Sequence, residues 1–177
     1  MRWPAPLLLL TMSACAAGPP AHPPVPLEPT RPAALSSALL EAHNSERAAT
    51  GVASLGWDHG LAAAAAPHAR ALAARGILRH SSREQRPGQG ENLWMGTRGA
   101  FTVQQMVGSW ASEKSRFRPG IFPAVSRGGN WAEVGHYTQM IWPATTHVGC
   151  ALASGPRFDV LVCRYAPAGN VDGRRVP

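Results

Sequence analysis

One histidine lies in a polar run within residues 135–142, which read Gly-His-Tyr-Thr-Gln-Met-Ile-Trp. An imidazole such as that of His136 can bind a metal ion or act as a general base near neutral pH. The three polar residues that follow it offer groups that could orient it, as ligating histidines usually require. The apolar residues at the end of the run would hold the segment against a core. From this run alone, a metal ligand, a general base and a purely structural histidine all remain open.

Three other side chains could contribute to the same chemistry. His80 follows an apolar pair and precedes two serines, so it is predicted to lie at the edge of an element. Glu91 lies in a glycine-rich loop, and Glu113 follows Trp110 by three residues, which places it near the same face of a predicted helix. Composition alone does not show that these groups meet. The chain has no G-x-S-x-G, no H-E-x-x-H and no free cysteine suited to nucleophilic catalysis.

Five segments, in chain order, resemble the motifs of one family. The family is the CAP superfamily, also called SCP domains, which includes cysteine-rich secretory proteins, antigen five and plant pathogenesis-related one proteins. The resemblance covers residues 34–171. The segments are 43–47 (HNSER, similar to the family's HNxxR), 55–61 (LGWDHGL), 90–93 (GENL), 135–142 (GHYTQMIW) and 160–170 (VLVCRYAPAGN).

The resemblance implies a cleft that holds two histidines and two acidic residues, here His80, His136, Glu91 and Glu113. Imidazole and carboxylate groups are ligands that Zn²⁺ accepts, so the resemblance predicts a site for Zn²⁺. The histidines would be the direct ligands, and the carboxylates would lie farther from the ion and orient a bound water. No catalytic residue is assigned; Glu91 and Glu113 are the candidates.

The other motif residues are predicted to be structural. His43 and Arg47 are one helical turn apart and could satisfy buried loop carbonyls, or Arg47 could pair with an acid. Trp94 and Trp131 neighbour motif segments and could line the cleft. The predicted structural set is His43, Asn44, Arg47, Asn92, Gln139, Trp142, Tyr165 and Asn170.

Periodicity predicts three helices. Leucines at helical spacing begin the first at Leu35, and Gly51 ends it. Asp58 can cap a second helix that continues to Gly76, with a kink or break at Pro67. The third carries an apolar face that starts at Val103 and ends at Trp110, after a capping threonine.

Residues 116–130 are rich in glycine, proline and arginine and are predicted to form a long loop. Helices beside a small antiparallel sheet make an α+β domain. The resemblance extends this to a three-layer α-β-α sandwich, the CAP/SCP fold.

Two cysteines lie on apolar runs, 148–153 and 158–165, that flank the turn signal Ser-Gly-Pro-Arg. A hairpin closed at this turn would place Cys150 opposite Cys163. A disulfide between them would fit an oxidising compartment, and two buried free thiols are the alternative. The family often bridges these two positions, which favours the disulfide.

The N-terminus has the features of a targeting segment. Arg2 precedes a short apolar run, 6–12, and residues 12–15 resemble a bacterial lipobox in which Cys15 is acylated. Ordinary secretion, with cleavage after 14–16, is the alternative. The predicted organisation is a lipoprotein-type signal peptide (1–14), a proline-rich spacer (15–33) and a CAP/SCP domain (34–177). The protein is therefore expected to be exported and anchored in a membrane through Cys15, facing the periplasm or cell surface, or to be secreted.

The charge pattern limits the partners. The 17 basic residues exceed the 10 acidic ones, but the arginines are scattered, which argues against nucleic-acid binding. The surface is compatible with loose attraction to anionic lipid headgroups or with a solvated basic face. The favoured hypothesis is a binding module for a lipid or envelope component, with a metal tuning its cleft. The alternative is a metal-assisted hydrolase of peptides or another envelope polymer, in which Glu91 or Glu113 is the general base.

Overall fold

The computed structural model describes residues 32–177, so the predicted signal peptide, Cys15 and nearly all of the spacer lie outside the described residues. The four α-helices of this part are α1 (Pro32–Ala49), α2 (His59–Arg75), α3 (Val103–Ala111) and α4 (Gly135–Met140). The six strands are β1 (Gly56–Trp57), β2 (Gly90–Thr97), β3 (Gly120–Ile121), β4 (His147–Ser154), β5 (Phe158–Ala166) and β6 (Arg175–Val176). Two 3₁₀ turns, Ser112–Ser115 and Trp131–Glu133, precede α4.

The predicted caps define the second and third helices. The Asp58 side chain accepts the Leu61 backbone N–H, and Gly76 ends α2 in the left-handed conformation, at φ 63°. Thr102 and Gln105 form a reciprocal capping box at the start of α3. The sequence predicted a kink or break at Pro67, and the break is wrong, because α2 runs through Pro67 without interruption. The reason is tertiary: the buried face of α2 packs along β4 and β5, and this packing outweighs one missing backbone donor.

The main sheet has the strand order β1-β4-β5-β2. β4 and β5 form the predicted hairpin, in which Cys150 faces Cys163, and the two are joined by a disulfide. β2 pairs antiparallel with β5 on its other side. The sheet is not wholly antiparallel, since β1 pairs parallel with β4. β1 spans only two residues, which is too short to leave a periodic signal in the sequence.

The loop predicted over 116–130 contains one further strand. β3 lies within it and pairs antiparallel with β6 at the C-terminus, forming a separate two-stranded sheet. Each of these strands is two residues long, so neither could be predicted from alternation.

Helices cover both faces of the main sheet, which confirms the predicted α-β-α sandwich. Small side chains of α2, such as Ala65 and Ala69, pack with Val160 and Val162 on one face. On the other face α1, α3 and α4 pack against the alternate residues of β5, and Trp110 lies within this core. Within residues 32–177 no helix is both long enough and apolar enough to cross a membrane.

Candidate functional site

A cavity of about 890 Å³ opens between the start of β2, the 3₁₀ turn before α4 and the segment after β5. His80, Glu91 and His136 all line it. Glu113 contacts His136 from the 3₁₀ turn that follows α3, and not from α3 itself as predicted. Three of the four predicted residues therefore line this cavity and the fourth contacts one of them, so that they form two separate histidine–glutamate pairs.

The first pair is built at the start of α4. The Glu113 carboxylate accepts the His136 Nδ1 at 2.6 Å through Oε1. Its Oε2 accepts the backbone N–H groups of His136 and Tyr137, each at 3.0 Å. One carboxylate thus fixes both the imidazole and the first turn of the helix that carries it. The indole of Trp110 stacks on the imidazole of His136, with ring centroids 6.1 Å apart and planes at 12°.

The second pair lies at the start of β2. Glu91 Oε1 accepts His80 Nδ1 at 2.9 Å, and both carboxylate oxygens accept hydrogen bonds from Ser81. Arg86 Nε lies 3.8 Å and Arg164 Nη2 3.5 Å from the same carboxylate. Burial acts to raise the pKa of Glu91, but the hydrogen bonds from His80 and Ser81 outweigh it and lower the pKa to about 2. Glu91 is therefore ionised at neutral pH.

Each histidine uses Nδ1 to contact a carboxylate, which leaves Nε2 as the nitrogen with no carboxylate partner. Metal-ligating histidines usually have this arrangement, because the carboxylate fixes the ring and raises its basicity. Within the described part of the chain, no three His, Cys, Asp or Glu side chains are grouped so as to hold one ion. A metal ion at this cavity would therefore have at most two protein ligands of these types, and the Nε2 atoms of His80 and His136 are the donors available for it.

Arg47 connects α1 to the segment around α4. It is 1% exposed and donates hydrogen bonds to the backbone carbonyls of Ala53, Met140, Trp142 and Thr145. Burial lowers its pKa to about 10, so it stays charged at neutral pH. The contacts correspond to the first of the two predicted alternatives, in which Arg47 satisfies buried loop carbonyls.

His43 lies beneath the cleft in the same helix. Its Nδ1 bonds the Leu39 carbonyl at 2.7 Å, and its Nε2 bonds the Tyr165 hydroxyl at 2.8 Å. Asn92 donates to the same hydroxyl at 3.1 Å and to the His136 carbonyl at 3.0 Å. Burial lowers the pKa of His43 to about 4, so its ring is neutral at pH 7. The chain of contacts joins α1, β5, β2 and α4.

Gln139 holds the other side of α4. Its Oε1 accepts the Gly169 N–H at 2.9 Å, and a Cβ on Gly90 would collide with that oxygen. Only a glycine at position 90 leaves room for the side-chain amide of Gln139. Asn170, at φ 56°, donates to the Gly135 carbonyl and accepts from the Thr138 hydroxyl.

The remaining predicted residues lie at the edges of this network. Asn44 exchanges two hydrogen bonds with the backbone of Leu55, and Trp142 packs edge-on against Phe122 in a buried cluster. Trp131 lines the cavity, as one of the two predicted tryptophans could. Trp94 does not, because its ring packs edge-on against Phe101 at the far end of β2.

Sequence reasoning missed the basic residues that contact Glu91. Arg164 lies in β5 and is 4% exposed, and its side chain bonds the Gln85 carbonyl and the Ser81 hydroxyl. An arginine that follows the apolar run 160–163 inside one strand is a usable signal, since a buried charge requires a partner. Arg86 gives no such signal, because it lies in an irregular loop, directly before Pro87 and Gly88.

Residues 40–165 match the sequence profile of the CAP family, the cysteine-rich secretory protein family. The chain belongs to the CAP family. It is 36% identical to pathogenesis-related protein 1B of Nicotiana tabacum over 136 residues, which covers 76% of each chain. It is 37% identical to pathogenesis-related leaf protein 4 of Solanum lycopersicum over 139 residues, covering 77% of this chain and 79% of that one.

Solved CAP structures share the fold. The crystal structure of NaASP2 with Zn²⁺ superposes with a TM-score of 0.68 at 27% identity, covering 80% of this chain and 83% of that one. The structure of BmVAL-1 gives a TM-score of 0.67 at 24% identity, covering 85% and 84%. The chain is thus a CAP domain related to the plant PR-1 proteins.

Proposed function

We propose that this protein is an exported binding module whose CAP cleft holds a divalent metal ion such as Zn²⁺ and binds a ligand beside it. One observation carries the proposal: His80 and His136 line one cavity, and each has Nδ1 bonded to a carboxylate. Similarity to NaASP2, whose crystal structure contains Zn²⁺, supports the choice of metal.

In this proposal His80 and His136 hold the ion, and Glu91 and Glu113 fix the two rings. A bound Zn²⁺ would supply a Lewis-acidic centre for an oxygen or nitrogen atom of the ligand. Two protein ligands are fewer than the three or four of most zinc sites, so the affinity depends on what fills the other positions.

The cavity wall suggests what kind of ligand would fit. Trp131 is 45% exposed and packs against Phe122 with ring centroids 5.3 Å apart, which gives an apolar face. Arg83 and Arg86 line the other side. A ligand that combines an apolar part with an anionic or polar part would contact both faces, and a lipid or an envelope component has this character.

The alternative is a metal-assisted hydrolase, and the carboxylate contacts favour binding over it. A general base needs a free lone pair near its substrate and a pKa near the working pH. Glu91 accepts three hydrogen bonds and Glu113 accepts three, and the pKa of Glu91 lies far below neutrality. Hydrolysis by zinc-loaded protein that is lost in His136→Ala, measured on a broad panel of peptides and envelope polymers, would favour the alternative.

Calorimetric titration with Zn²⁺ tests the metal site. We expect one ion per chain, with binding abolished in His80→Ala and in His136→Ala. His59→Ala is the matched control, because His59 is exposed at the start of α2, outside the cavity. Glu113→Gln should weaken binding by about tenfold or more through loss of ring orientation. The proposal would be contradicted if the protein does not bind Zn²⁺, or if Zn²⁺ binding is unchanged in both cleft histidine variants.

The ligand can be sought by its effect on tryptophan fluorescence. Lipid classes and envelope fragments that change the emission of the wild type, and fail to do so in Trp131→Ala, would identify a ligand of the cavity. A screen with no class above background would count against the binding module.

We also propose that export follows the N-terminal segment and that Cys15 carries a lipid anchor. The description of the family as secretory and the disulfide between Cys150 and Cys163 support export. Metabolic labelling with a fatty-acid analogue tests the anchor. Label in the wild type that is absent from Cys15→Ser supports it, and unlabelled, fully released protein supports ordinary secretion instead.

A further inference from the structure

Three arginines gather at the end of the molecule where α2, β2 and the β4–β5 turn all finish; we call it the arginine end. Arg75 is the last residue of α2, Arg98 follows β2, and Arg157 lies in the turn before β5. The Arg98 backbone N–H donates to the Arg157 carbonyl at 2.9 Å. The Arg157 guanidinium lies beside Gly76, 3.7 Å from where a Cβ would be, and 5.2 Å from the centroid of the Phe158 ring.

The positive charge of the arginine end is not neutralised locally. All three arginines are exposed. Within residues 32–177, the ion pairs involve only Glu46, Glu91 and Glu113, none of which lies at this end. The carboxylate that does lie here, Asp159, is 1% exposed and accepts hydrogen bonds from the Gly99 N–H and the Ser154 hydroxyl.

Exposed apolar side chains flank these arginines. Ile77 and Leu78 directly follow the Gly76 cap, at the start of the segment that leads to His80, and are each 46% exposed. Phe101, which is 37% exposed, lies just after β2 and packs edge-on against Trp94. Guanidinium groups beside projecting aliphatic side chains are typical of surfaces that bind anionic membranes, where the charges contact phosphates and the apolar groups enter the headgroup boundary.

The arginine end lies opposite the cleft. Along β2, Glu91 is at the cleft and Thr97 is six residues away, which corresponds to about 20 Å. The start of α1 lies toward the same far end, because α1 and α3 run parallel: His43 lies beside Trp110, and Glu46 pairs with Lys114 at 3.0 Å. The polypeptide that precedes Pro32 is therefore attached on the side of the arginine end.

We propose that the arginine end docks on the surface of an anionic phospholipid bilayer and directs the cleft away from the membrane. The three guanidinium groups contact lipid phosphates, while Ile77 and Leu78 enter the boundary between headgroups and acyl chains. The contact is independent of acylation at Cys15, and a lipid anchor there would be attached to the domain on the same side.

Vesicle co-sedimentation tests the docking surface. The full chain with Cys15→Ser, which can carry no acyl group there, is mixed with vesicles of phosphatidylcholine alone or with phosphatidylglycerol. This Cys15→Ser protein should bind more strongly to the anionic vesicles, and its binding should weaken as salt is added. Replacement of Arg75, Arg98 and Arg157 together by glutamine should weaken binding to anionic vesicles by about a hundredfold, since each arginine near the surface contributes about fivefold.

A matched variant removes the same charge from the cleft end. Arg118, Arg174 and Arg175 are exposed there, and the Arg174 carbonyl accepts the N–H of Phe122, which lines the cavity. Their replacement by glutamine should weaken vesicle binding by less than about threefold, through net charge alone. Equal losses in the two triple variants, or wild-type binding that ignores salt or lipid charge, would overturn the proposal.

A second pair of variants separates a membrane from a soluble polyanion. Ile77→Asn with Leu78→Asn should weaken vesicle binding but leave the salt needed for elution from a heparin column unchanged. Ile121→Asn with Val171→Asn is the control, because these residues are 45% and 44% exposed near the cleft. If the first pair leaves vesicle binding unchanged while the triple arginine variant abolishes it, the surface binds polyanions and the membrane proposal is wrong.

Discussion

Replacement of Arg47 by methionine should remove more stability than any single surface change, because one side chain satisfies four backbone carbonyls. Methionine keeps the apolar stem of similar length but has no donor. The Trp142 carbonyl would keep a hydrogen bond from the Thr145 N–H. The carbonyls of Ala53, Met140 and Thr145 would lose the hydrogen bonds that the arginine side chain donates to them.

The magnitude follows from these three carbonyls. A buried acceptor left unpaired costs about 1–3 kcal/mol, so three would cost about 3–9 kcal/mol. Removing the buried charge returns part of this, since burial of the guanidinium is itself unfavourable, as the lowered pKa of Arg47 indicates. We therefore expect Arg47→Met to lower the free energy of unfolding by about 3–5 kcal/mol.

Urea unfolding monitored by tryptophan fluorescence measures this loss. Arg70→Met is the control, because Arg70 is exposed on α2, and its cost should stay within about 0.5 kcal/mol. Arg47→Lys should recover only part of the stability, since one ammonium cannot reach carbonyls in several directions. A cost below about 1 kcal/mol for Arg47→Met, with an unchanged denaturant slope, would refute the reasoning, because it would mean that water replaces the guanidinium freely.

Three other changes test the packing and the titration behaviour of the domain. The pKa of His43 is about 4 in the folded protein and 6.5 when the side chain is exposed, so as the pH falls the unfolded chain takes up a proton before the folded one does. The free energy of unfolding should therefore be highest above about pH 6.5 and should fall by about 3 kcal/mol toward pH 4. Urea unfolding across this range checks it, and the fall should be absent in His43→Gln. Gly90→Ala should cost about 1–3 kcal/mol because the added carbon meets the buried amide of Gln139, whereas Gly108→Ala, with open space in mid-helix, should stabilise by about 0.5–1 kcal/mol. Reduction of the disulfide between Cys150 and Cys163, which are 13 positions apart, should lower the free energy of unfolding by about 3 kcal/mol. Urea unfolding measured with and without a thiol reductant checks this.

The sequence was sufficient to predict helix ends and strand pairing wherever the residues that determine them are close together in the chain. Asp58, Thr102 and Gly76 define helix ends through groups a few residues apart, and the hairpin that pairs Cys150 with Cys163 follows from one turn between two apolar runs. Prediction from the sequence failed where packing between distant elements determines the structure. Pro67 does not interrupt α2 because the sheet holds the helix.

The candidate site shows the same limit. The sequence and the family resemblance named the four residues of the two pairs, but the pairing of each glutamate with one imidazole depends on contacts between distant segments. Glu113 contacts His136 across 23 positions of sequence. No local pattern predicts that Glu91 also contacts Arg164, which lies on the neighbouring strand of the folded sheet.

The family motifs converge on a helix that could not form by itself. α4 has six residues, fewer than an isolated helix needs in water. Glu113 accepts two of its first N–H groups, Arg47 donates to the carbonyl of its last residue, Asn92 donates to the carbonyl of His136, and Asn170 donates to that of its first residue. Three motif segments distant in sequence thus hold one imidazole at the cavity. Most of the motif residues are therefore engaged in building the site, whereas a ligand of the proposed kind would contact the cavity wall. For this reason membership of the family predicts the fold and the position of the cleft more closely than it predicts the ligand.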